Sequence, residues 1–173
     1  MPGRSPHASE NIAKAAVIGG AIGGAVDISY AIIANLPKAS PQRVLQSVAS
    51  GVLGRDSFDG GAATAALGLA LHFAMNILIA LIFIAAARTF APIRNNLVAA
   101  GLIYGAAIYF VMRWVVVPLS RFPGDLRVIH PLEIGFHMVG VGLVVALAAR
   151  RFGALDLHGA PAIDLSSSNL KGL

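Results

Sequence analysis

The chain has 173 residues, 57% of them hydrophobic and only 12% charged, and a mean hydropathy of +0.76. A soluble domain carries about a quarter of its residues charged, so the composition points away from an ordinary soluble fold and toward an integral membrane protein. The absence of cysteine excludes disulfides, thiolate metal sites and Cys nucleophiles. The formal charge of +5 is scattered between apolar runs, with no basic stripe and no aromatic platform, so no nucleic-acid partner is expected.

The opening stretch, MPGRSPHASENIAKAA, carries Glu10 ahead of the apolar run and reads as a retained tail over 1–11, not a signal peptide. A first span is predicted over about 12–35. On it Gly20, Gly24 and Asp27 share one stripe, with Gly23 beside them. Gly19, Gly20, Gly23 and Gly24 offer a surface on which a second copy could pack, making a homodimer one expected partner besides the lipid bilayer. A short helix is predicted next, over about 41–54, with Ser40 as cap and Pro41 as its first residue. Val44, Leu45, Val48, Val52 and Leu53 fall on one face; Gln42, Arg43, Gln46, Ser47 and Ser50 take most of the other. That pattern predicts an amphipathic helix lying at the membrane interface, or a re-entrant piece capping the bundle.

The second span is predicted over about 61–87, with Gly61, Gly68, His72 and Asn76 on one face. A short connection leads to the third, about 97–117, and implies antiparallel neighbours. There Gly101, Gly105, Tyr109 and Arg113 repeat every four residues, and Pro118 is expected to end the helix. A polar, turn-rich connection precedes the fourth span, about 131–149, opened by Pro131, with Glu133, His137 and Gly140 on one face. From 152 to the end no period survives, and a mobile tail is expected.

Each span therefore gathers its small and polar residues on one stripe. In lipid, small residues let helix backbones approach closely, so Gly20, Gly24, Gly68, Gly101, Gly105 and Gly140 mark the packing faces. The ionisable groups share those faces and point inward. At about 1.5 Å of rise per residue, Asp27, His72 and His137 lie roughly 3 to 6 Å from their helix midpoints, all displaced away from the chain termini. Arg113 and Glu133 lie roughly 9 to 12 Å out on the same side. Four spans place both termini on one side; seven Lys and Arg fall there (Arg4, Lys14, Arg88, Arg94, Arg150, Arg151, Lys171) against five on the other. That bias favours cytoplasmic termini.

A charge inside a bilayer costs several kcal/mol, of the order of ~3, unless it is paired or wet. Asp27, His72, Asn76, Tyr109, Arg113, Glu133 and His137 are therefore expected to form a polar pocket. It would bind or relay a small solute or protons, since imidazole titrates near physiological pH. Arg113 is the expected counter-ion of Asp27 or Glu133. A structural polar cluster, or an accessory subunit of a larger membrane complex, is the alternative. His72 and His137 could supply two nitrogens to a haem or metal, but no cofactor is predicted, since no HExxH or Cys-bearing motif supports one. Ser47 and Ser50 sit in no nucleophile elbow, and GGAIGG follows no strand and is not GxGxxG. An enzyme is accordingly not expected.

Three segments carry a resemblance: RVLQSVASGVLGRDSFDGGAATAALGLALHF, GLIYGAAIYFVM with VVVPLS, and HPLEIGFHMVGVGLVVALAARR. Together they resemble a family of small four-span bacterial inner-membrane proteins of unknown function, over most of 11–152. A looser similarity is to YagU-type inner-membrane proteins, with a Glu–His pair in the last span. The resemblance implies an all-α, four-helix protein of the bacterial inner membrane, and no substrate, cofactor or catalytic residue.

Overall fold

The computed structural model describes residues 6–156, and no strand occurs among them. Six helices follow in order. α1 covers Pro6–Asn35; α2 covers Pro41–Leu53; α3 covers Gly61–Thr89; α4 covers Ala91–Asn95. α5 runs over Leu97–Leu119 and α6 over Pro131–Arg151. α1, α3, α5 and α6 are long and apolar enough to cross a membrane.

Local chemistry sets most of the boundaries. Ser40 caps α2 by accepting from the Arg43 amide at 3.3 Å, and Pro41 supplies its first turn. Gly54, at φ +71°, turns the chain out of α2, where a side chain would be strained. α1 begins at Pro6, well ahead of the predicted start near 12, and its first turns carry a Lys14–Glu10 pair at 3.6 Å. Pro118 does not end α5; the helix continues to Leu119. The wider π-type turns over Met112–Val116 lie just before it, where a proline ring would otherwise press on the carbonyl four residues back.

The glycines set the packing. A Cβ on Gly20 would lie 2.7 Å from the Ile77 Cα, and one on Gly24 would lie 3.1 Å from the Phe73 ring. One on Gly19 would lie 2.9 Å from the Ala148 Cβ, and one on Gly23 would lie 3.2 Å from the Gly140 carbonyl. Numbering thus rises along α1 as it falls along both α3 and α6. Gly101 against Gly142, and Gly105 against His137, repeat that sense between α5 and α6. The surface expected to receive a second copy is consequently used inside the chain: all four α1 glycines are buried.

Between the helix ends nearest the termini lies a dry core of Ala15, Ala16, Ala80, Phe83, Ile84 and Val145, joined by Ala154. Arg88 donates to the Ala154 carbonyl at 2.6 Å. Packing therefore continues beyond 151, correcting the expected tail boundary at 152. The remaining tail, 157–173, and the first five residues lie outside the described residues, and with them Arg4 and Lys171.

α2 packs on α3 partly through polar positions. Gln46, Ala49 and Ser50 are buried while Val52 is 53% exposed. Gln46 donates to the Gly61 carbonyl at 3.0 Å and to the Thr64 hydroxyl at 3.2 Å. Gly68 lets the α2 backbone touch α3: a Cβ there would overlap the Leu45 carbonyl. Amphipathic pattern alone could not show this, because a helix against other helices buries polar groups that find partners.

Candidate functional site

The predicted polar stripes converge, but in two groups. The first gathers around Asp27 of α1. His72 Nε2 of α3 stands 4.0 Å from one carboxylate oxygen and His137 Nε2 of α6 stands 3.7 Å from the other. Asp27 keeps 21% of its side chain accessible, against 10% and 12% for the two imidazoles. Both imidazoles are oriented by main chain. His137 Nδ1 lies 3.0 Å from the Glu133 carbonyl, and a carbonyl only accepts, so that nitrogen carries a hydrogen. A neutral His137 then presents its Nε2 lone pair to Asp27. His72 Nε2 lies 2.9 Å from the Gly24 carbonyl and by the same reasoning donates there. Asn76 is set beside it, donating to the His72 carbonyl at 3.0 Å.

The second group lies nearer the ends of α5 and α6 that face their connecting segment. Arg113 of α5 pairs with Glu133 of α6 at 2.5 Å and also donates to the carbonyls of Leu126 and Val128. Tyr109 donates to the Val128 carbonyl at 3.2 Å and accepts from the His130 amide at 2.8 Å. Four side-chain contacts thus fasten the segment between α5 and α6 across the polar end. Within that segment Arg127 hydrogen-bonds Asp125 through side chain and main chain, holding its carboxyl down at about 2. Arg113 accordingly serves Glu133 and the connecting segment, not Asp27. Sequence spacing allowed either carboxylate; the choice depends on carbonyls that no side-chain pattern reveals.

Tyr109 joins the two groups, its ring edge-on to His137 at 5.4 Å and under the Arg113 guanidinium at 4.8 Å. Compared with protein-family models, curated proteins and solved structures, the chain matches none.

Two features of the site were not legible in the sequence. His137 opens a π-type stretch over His137–Leu143, and Arg113 lies in the one over Met112–Val116. Such turns add a residue to the helix circumference and re-aim the side chains around them, often where function resides. The second feature is the Tyr30–Phe136 stack, at 4.1 Å between centroids. It borders a shallow groove of about 480 Å³ between α1 and α6, walled also by Val26 and Ile33.

Gly20, Gly24, Gly68, Gly101, Gly105 and Gly140 are all buried. His72 and His137, the candidate metal ligands, face one carboxylate from two sides, and His72 Nε2 also meets the Gly24 carbonyl. Among the described residues no group of three or more His, Cys, Asp or Glu is placed to hold a metal ion.

Proposed function

We propose that this chain is a four-span, antiparallel protein of the bacterial inner membrane, related to the small family it resembles. Its Asp27–His72–His137 cluster binds protons or a small solute bearing hydrogen-bond donors. The observation that carries the reading is the proton count at Asp27. With His137 Nδ1 donating to Glu133, the neutral ring offers Nε2 to a carboxylate oxygen at 3.7 Å. Two acceptors face each other across a gap too long for a direct hydrogen bond. A proton on either group makes the pair attractive; a donor-bearing solute between them satisfies both.

The packing supports a direction of access. The dry alanine-rich core lies toward the termini, while Arg113, Glu133 and Tyr109 frame the opposite end. The site opens toward the non-terminal face, with α2 in the boundary region beside it, and both termini in the cytoplasm. Binding and release on one face need no rearrangement; passage across the membrane requires the core between α1, α3 and α6 to part. A structural role suits the Arg113–Glu133–Tyr109 group, because Arg113 and Tyr109 tie the segment between α5 and α6 to the bundle through the Leu126 and Val128 carbonyls and the His130 amide. An accessory subunit would offer its glycine faces to a partner, and here those faces are filled from within.

The test uses the full chain reconstituted in liposomes with a pH-sensitive dye inside and an imposed pH gradient. Proton uptake on titration of the detergent-solubilised protein is measured in parallel. Wild type is expected to take up protons on titration, and Asp27→Asn to shift or abolish that uptake while circular dichroism and elution volume stay unchanged. Unaltered uptake and flux in Asp27→Asn would sink the proposal. Loss of fold in Asp27→Asn together with His137→Gln would assign the cluster to structure.

A further inference from the structure

A second site lies at the opposite end of the molecule. An open cleft of about 800 Å³ is bounded by the end of α6, the α4–α5 junction and the segment after α6. Its rim is polar, with Arg94, Asn95, Arg150 and Asp156; its floor is apolar, with Leu97, Leu102 and Leu155. Arg94 and Arg150 stand at helix ends, where a spanning helix meets the headgroup layer, and Leu97, Val98 and Leu102 follow along α5 from that end.

Charge completes the description. Arg94 leans on the end of α3, donating to the carbonyls of Ala87 and Arg88 at 3.4 and 3.3 Å. No hydrogen bond or ion pair holds the Arg150 guanidinium among the described residues. The Asp156 carboxylate opposes an anion, but the two arginines outnumber it. Asn96, which also lines the cleft, makes no side-chain cap to α5. Cationic pockets between spans on the cytoplasmic side favour anionic lipid headgroups.

We propose that this cleft binds one anionic glycerophospholipid, its phosphate held by Arg94 and Arg150 and an acyl chain lying against Leu97 and Leu102. Neither the carboxylate–imidazole cluster nor its activity is involved. The experiment is native mass spectrometry of the full chain in mild detergent, with added phosphatidylglycerol, phosphatidylethanolamine or inorganic phosphate, alongside thermal unfolding. Phosphatidylglycerol is expected to remain bound and to raise the unfolding temperature, and phosphatidylethanolamine is not. Arg150→Gln is expected to weaken phosphatidylglycerol binding about fivefold, the contribution of one cation at an anionic surface. Because Arg94 also supports α3, Arg150 is the cleaner site for the loss, and Asp156→Asn should tighten binding. Equal retention of the two lipids overturns the proposal, as does an affinity unmoved by both Arg150→Gln and Asp156→Asn. Stabilisation by inorganic phosphate equal to that by phosphatidylglycerol overturns the lipid as occupant and assigns the rim to a free phosphate. Asp27→Asn should leave the lipid affinity intact, which separates this site from the cluster.

Discussion

Tyr109 shows how one hydroxyl ties a membrane helix to the segment beyond it. It sits every-fourth-residue after Gly101 and Gly105, so its inward face was legible from periodicity. Its partners were not, because the Val128 carbonyl and the His130 amide belong to a stretch with no period. The hydroxyl donates to one and accepts from the other. Tyr109→Phe removes both bonds and keeps the ring that touches His137 and Arg113. Two ordinary hydrogen bonds contribute about 1 to 2 kcal/mol in total, so Tyr109→Phe should lower unfolding stability by that amount. Limited proteolysis between 120 and 130 should quicken as the segment loosens, while proton uptake at Asp27 persists. Loss of uptake with an undisturbed segment would make Tyr109 part of the proton site instead. Asp27 illustrates the complementary case. Depth counted along each helix places it level with His72 and His137, and their Nε2 atoms stand 4.0 and 3.7 Å from its carboxylate. The proton arrangement needed the carbonyls of Gly24 and Glu133, which side-chain stripes omit.

At the scale of elements, Gly105 and Gly135 mark two extremes, one pressed on a neighbouring backbone and one facing open space. A Cβ on Gly105 would overlap the His137 carbonyl and lie 2.6 Å from the Met138 Cα. Neither atom can swing aside, so α5 and α6 must part, and His137 moves with them. Gly135, in the first turns of α6, has nothing within 4 Å of its would-be Cβ. Gly105→Ala should therefore cost about 1 to 3 kcal/mol as an overpacked contact and weaken proton uptake at Asp27. Gly135→Ala should raise stability by up to about 1 kcal/mol, since alanine favours helix over glycine. Thermal unfolding of the two variants side by side checks both, and equal effects would contradict this packing. The small-residue stripes were readable because close approach in lipid needs them. The π-type turns were not: they are departures from the same 3.6-residue period that makes stripes readable. α2 escaped for a related reason. Its apolar stripe is real, yet Gln46 and Ser50 are buried, because Gly68 brings the α2 backbone against α3 and Gln46 finds partners at Gly61 and Thr64.

Across the whole molecule the polar and apolar cores occupy opposite ends, and orientation decides which compartment the polar end meets. The bias of seven basic residues to five depends on Arg4 and Lys171, which lie outside the described residues; the remainder divides five to five. Arginines in short connections near span ends weigh most in setting orientation. Arg88 and Arg94 flank the α3–α5 connection closely, whereas Arg127 is engaged with Asp125 at 2.8 Å. The chain has no cysteine, so a single introduced thiol reports its own side of the membrane without background. Asn95→Cys, between α3 and α5, and Asp125→Cys, between α5 and α6, test the arrangement in intact bacterial cells. With cytoplasmic termini, a membrane-impermeant maleimide should label the thiol at 125 directly and the one at 95 only after permeabilisation. Labels in the reverse order would place the termini outside and turn the Asp27 cluster toward the cytoplasm. Equal direct labelling of both would deny that α5 crosses the membrane, and with it the antiparallel bundle. The measurement matters for the mechanism because proton supply differs between the two compartments. The proposed site at Asp27 would then sense the compartment facing Arg113 and Glu133.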